Sequence, residues 1–160
     1  MPRACIETTV PSYDVARPSQ QLVQLARQQM ILDWWDRGCS GFELVTSLET
    51  IDEVVRGGQA LARKHLDRIS EVLVLAIADA VADLAELSVQ RGIVPGKAVS
   101  DAIHIAVASV HLIEYLATWN LKHIANPFLR ERIRKQVNDL GYPMPVMCSP
   151  EDLLQNDADY

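Results

Sequence analysis

The chain has 160 residues, 49% apolar and 22% charged, which fits one domain with a sizeable core and excludes a disordered chain. A formal net charge of -6 and a pI of about 5.1 exclude a nonspecific polyanion binder, so work on nucleic acid needs a local basic patch or metal ions. Three cysteines, Cys5, Cys39 and Cys148, without a C-x-x-C pair, give no zinc or disulfide framework and suit a reducing cytoplasm.

The first element is a short apolar run at residues 3–7, read as a buried strand that ends on Glu7. Thr8, Thr9, Pro11 and Ser12 follow and read as a loop. Over residues 18–37, Leu22, Leu25, Ala26, Met30, Ile31 and Trp34 recur at three- and four-residue spacing, which predicts a helix closed by Gly38. Residues 42–46 form a second strand. Ser47 then caps a helix with Ile51, Val54 and Val55 on one face and Gly57-Gly58 as its stop. A short helix follows at 59–69, a third strand at 70–74 and a helix at 75–91. Pro95 opens a central apolar helix that runs to about His111. Residues 114–118 read as the fourth strand. Asn126-Pro127 starts a helix that extends to Leu140, and 145–148 make a short fifth strand before a last helix start at Ser149.

Strands separated by helices predict an α/β fold: three α/β/α layers, Rossmann-like, around a central, mostly parallel sheet of four to five strands. Residues 1–154 form the single domain, and 155–160 a fraying tail. The N-terminus lacks a basic-then-apolar signal pattern, and Asp79, Asp83 and His104 interrupt the longest apolar runs, so no membrane span is expected.

Sheets of this kind carry their sites beyond the carboxyl ends of the strands. Glu7 and Asn120 lie at or just past such ends. The central helix runs back against the fourth strand, which puts its start, with Asp101, at the same rim. The helix after the second strand begins there too and brings Glu49, Asp52 and Glu53. Each residue has a plainer reading taken singly. Asp101 suits a helix start, Glu7 a solvated strand end, Glu49 and Glu53 a charged helix face, and Asn120 a turn. Their convergence on one rim favours a metal site. His104, three residues after Asp101, either orients Asp101 or is a satisfied core histidine. Arg130, Arg132, Arg134 and Lys135, preceded by Lys122 and His123, form either a solvated face or a phosphate-binding strip.

These residues resemble those of the PIN domain family. Glu7-Thr8-Thr9 looks like the acid-plus-hydroxyl opening of that family. Ser47-Leu-Glu-Thr-Ile-Asp-Glu53 looks like its second motif, Asp101-Ala-Ile-His-Ile-Ala-Val-Ala its most specific one, and Leu116-Ala-Thr-Trp-Asn120 its fourth. The resemblance spans nearly the whole chain. It implies a Mg²⁺- or Mn²⁺-dependent endoribonuclease with Glu7, Glu53, Asp101 and Asn120 as metal-site residues, and RNA as substrate. It also implies a VapC-type toxin, cytoplasmic, paired with an antitoxin protein and forming a homodimer. Helices 18–37 and 48–69 offer an apolar groove for either protein partner. Two departures stand out: Glu7 replaces the usual Asp, and Asn120 supplies an amide where Asp is common. They motivate an alternative, a PIN-like interaction module with a weak or inactive site. A metal phosphatase acting on small phosphoesters is a third reading.

Overall fold

The computed structural model describes residues 1–120, 124 and 126–154. Lys122, His123 and the tail 155–160 lie outside the described residues. Five strands form one all-parallel sheet: β1 (Arg3–Ile6), β2 (Glu43–Ser47), β3 (Leu73–Leu75), β4 (Tyr115–Ala117) and β5 (Val146–Cys148). The order is β3-β2-β1-β4-β5. The chain thus builds outward from β1 in one direction, then returns to add β4 and β5 on its other side. That reversal makes a crevice at the carboxyl ends of β1 and β4, where open α/β sheets bind ligands.

The helices are α1 (Thr9–Val15), α2 (Leu22–Asp33), α3 (Leu48–Arg56), α4 (Gln59–Arg68), α5 (Asp79–Gln90), α6 (Val99–Val110), α7 (Pro127–Asp139) and α8 (Pro150–Leu154). Successive strand residues point to opposite faces, and β1 shows the result. Cys5 joins a core with Val81, Val107, Leu116 and Ile133 beneath α5, α6 and α7. Ala4 and Ile6 join a second core with Val10 of α1, Leu153 of α8 and Trp34, which follows α2. All three β1 residues are fully buried, which is why the strand reads as a continuous apolar run. Burial pushes the Cys5 thiol up to about 12, with the Glu7 charge adding to the shift, so this cysteine packs as a small hydrophobe.

Thr9, Pro11 and Ser12, expected as loop, lie in the helix α1. Pro11 falls in the first turn, where its missing N–H would have had no intrahelical partner. The expected helix 18–37 is also divided. α2 ends at Asp33, and a wider π-helical turn, Trp34–Gly38, follows, with the Cys39 N–H bonded to the Trp34 carbonyl. This turn lets Trp34 bury completely while Trp35 meets the Arg68 guanidinium 4.9 Å from its ring centroid. The central helix begins at Val99, after a 3-10 turn at Gly96–Ala98. Ser47 and Asn126 cap α3 and α7, accepting from the N–H groups of Thr50 and Phe128 at 3.3 and 2.9 Å. Among the described residues, no helix is long and apolar enough to cross a membrane.

The fully buried Leu116 of β4 sits at the centre of the larger core. Leu116→Ala is expected to lower unfolding free energy by about 2–5 kcal/mol in urea titrations, and Ser47→Ala by about 1 kcal/mol.

Candidate functional site

β1 ends at Ile6, and the next residue, Glu7, continues the ladder through its N–H to the Ala117 carbonyl at 3.4 Å. The Glu7 side chain is therefore carried to the crevice, and the residue is only 3% exposed. Its carboxylate accepts from the Thr9 N–H at 3.1 Å and from the Thr9 hydroxyl. The Thr118 hydroxyl also supports the ionised form. These two threonines bind backbone as well. Thr9 Oγ1 accepts from the Trp119 N–H at 2.9 Å, and Thr118 Oγ1 accepts from the Asn120 N–H at 2.8 Å. Two hydroxyls thus tie the Glu7 carboxylate to the chain leaving β4.

α6 starts at the same rim because it runs back toward the amino end of β4. Asp101, in its first turn, accepts from the Asn120 side-chain amide at 2.8 Å. One turn further on, His104 is 1% exposed. Its Nε2 lies 2.6 Å from Glu53 Oε1 on α3. His104 therefore engages Glu53 rather than orienting Asp101. Glu49, one turn before Glu53, is also buried; it accepts from the Ser100 hydroxyl of α6 and from Arg56 at 3.0 Å. The Ser100 contact and the His104 contact both lock α3 to α6.

Electrostatics sort the acids into different states. Desolvation raises Glu7 above the ordinary carboxylate range, although His104, Thr9 and Thr118 each pull it down. Burial also acts to raise Glu53, but the His104 hydrogen bond and charge outweigh it, with Thr8 and Arg56 adding to the effect, and the net shift is downward. For His104, burial opposes the charged form, yet the hydrogen bond it makes to Glu53 and the charges of Glu7, Glu53 and Glu49 carry it above the ordinary imidazole value. The imidazole is in effect the counter-charge for three carboxylates.

The four residues expected at a metal site fall into two groups on this rim: Glu7 and Glu53 around His104, and Asp101 with Asn120. Among the described residues, no three His, Cys, Asp or Glu side chains close into a ready cage for an ion. The donor chemistry does fit a hard divalent cation, since carboxylate and amide oxygens are what Mg²⁺ and Mn²⁺ prefer. The raised Glu7 adds to that fit, because a cation nearby favours the ionised form that burial disfavours. Asp52 contributes its backbone carbonyl to Arg56 at 3.2 Å. The part played by His104 in joining Glu53 to Glu7 has one trace in the sequence, a histidine three residues after Asp101 inside an otherwise apolar helix. No family model and no curated protein matches the chain.

His104 has a raised folded pKa, so its contribution to stability is complete below its ordinary value of 6.5 and is lost as pH rises through the folded value. His104→Gln should therefore be less stable than the parent at pH 6 and below, and the gap should narrow as pH rises. Urea midpoints measured across a pH series check this; a gap independent of pH contradicts it.

Proposed function

We propose that the chain is a PIN-like, Mg²⁺- or Mn²⁺-dependent endoribonuclease that hydrolyses RNA phosphodiester bonds. The observation that carries this reading is the gathering of three carboxylates and one amide, from four separate segments, at the β1–β4 crevice: Glu7, Glu53, Asp101 and Asn120. These four would hold the ion. When bound, Mg²⁺ or Mn²⁺ supplies an activated water and neutralises charge that builds on the phosphoryl group. The chain's own residues do the positioning. Thr9 and Thr118 fix the Glu7 carboxylate against the backbone that leaves β4. His104 fixes Glu53, and Asn120 fixes Asp101. Because Asn120 is neutral, the set holds three negative charges rather than four, which weakens ion binding without changing its oxygen character.

The same reading makes the chain the cytoplasmic toxin of a type II pair and a homodimer. Exposed apolar side chains, Leu22 and Val23 on α2 and Leu61 on α4, offer surface for an antitoxin or a second copy to cover. A second reading, an interaction module with an inactive site, is favoured by the two-group arrangement of the donors and by the neutral Asn120.

Cleavage of a fluorogenic single-stranded RNA decides between them. The parent chain should cut only with Mg²⁺ or Mn²⁺ and stop on EDTA addition, and Asp101→Asn should lower kcat/KM by about 100-fold or more. Equal activity in parent and variant rejects the catalytic assignment. Partner binding without metal-dependent cleavage supports the module.

A further inference from the structure

Beside the crevice, a cavity of about 520 Å³ opens between α2, the end of β4, α7 and the β5–α8 turn. Trp119, the neighbour of Asn120, forms one end of it, and Arg27 lies over the Trp119 ring at 5.3 Å from the centroid. A second cavity of about 430 Å³ continues along α7 and edge strand β5. The two share Arg130 and Met147, so they adjoin at those side chains. Arg27 and Arg130 line the first and Arg130 and Arg134 the second, on a chain whose net charge is -6. Leu22, Met30 and Met147 add apolar lining.

From this arrangement we infer that the two adjoining cavities form one channel for the single-stranded RNA flanking the cleaved bond, with Arg27, Arg130 and Arg134 against its phosphates. The inference rests on the nuclease reading and specifies where its substrate lies. Guanidinium and apolar lining together suit a single strand, one for the backbone and the other for the faces of unstacked bases. Two acids, Glu151 and Asp152, also line the first cavity. Asp152 accepts from the Ser149 N–H and hydroxyl at 2.7 and 2.9 Å. Among the described residues, the second cavity has arginines and no acid in its lining. Local positive charge at this place also answers how an acidic protein holds a polyanion at a rim already rich in carboxylates.

Fluorescence anisotropy with a labelled single-stranded RNA of about 12 nucleotides, in EDTA and over a salt series, tests the channel. Arg130→Gln and Arg134→Gln should each raise Kd about 5- to 10-fold and reduce the salt slope by about 0.7. Arg91→Gln, at an exposed residue that lines neither cavity, should leave both unchanged. The Arg134 side chain is half exposed, so its variant stays informative even if Arg130→Gln fails to fold, and urea midpoints verify folding for all three. Parent-like Kd and salt slope in the channel variants overturn the proposal. Loss of an acidic peptide of about 15 residues by those variants, with RNA affinity unchanged, gives the channel to a protein and overturns it as well. If Asp101→Asn still abolishes metal-stimulated cleavage while the channel variants bind RNA normally, the nuclease reading stands and the channel alone is rejected. If the parent chain neither binds nor cuts RNA, both are rejected.

Discussion

A carboxylate removed from water at the end of the central strand sets the terms for everything around it. Glu7 is held in the crevice by the ladder that holds β1, so the chain has no route to expose it without opening the sheet. A buried charge without compensation is costly. Here the compensation comes from hydroxyls, one backbone N–H and a histidine, with no arginine or lysine in contact among the described residues. Those groups lower the Glu7 pKa, yet burial still prevails and leaves it raised. Among the described residues, positive charge is short around Glu7.

The deficit is shared across the rim. His104 faces Glu7, Glu53 and Glu49 at once, so the charge on one imidazole is divided among three acids. Arg56 reaches Glu49 from the open side. Thr9 and Thr118 act in both directions, supporting the Glu7 carboxylate and accepting from the backbone beyond β4. The arrangement is rigid in its connections: β1, β4, α3 and α6 are each tied to another by a buried polar contact. A rim so connected can keep several like charges close, and a divalent ion is the counter-charge proposed for it.

Much of this placement was legible in the chain itself, because it follows from direction rather than from contact. Parallel strands put residues after each strand on one edge, and a helix that returns to a parallel strand starts at that edge. Glu7, Glu53, Asp101 and Asn120 could be assigned to one rim on that basis alone. Pair identities were not legible. That His104 meets Glu53, 51 positions away, depends on how α3 lies against α6, and helical spacing within α6 points instead to Asp101. Local chemistry misled at residues 9–12, where Thr, Pro and Ser suit a loop and equally suit a helix's first turn. The π-helical turn after Asp33 had no local signal, since it answers the burial of Trp34 by distant parts of the second core. The basic residues of α7 were visible as a cluster, but only the fold shows that Arg130 lines a cavity with Arg27 of α2 and a second one with Arg134, while Arg132 turns to the Gly92 carbonyl at 3.5 Å.

The central claim, that the rim is a cation site organised by a desolvated carboxylate, is tested most directly by binding rather than turnover. Electron paramagnetic resonance of Mn²⁺ titrated into the protein reports bound and free ion without any substrate. The account predicts saturable loss of the free-ion signal for the parent chain and at least about 10-fold weaker binding for a folded Glu7→Gln variant. A free-ion signal undiminished by excess parent protein, or equal affinity in parent and variant, would contradict it.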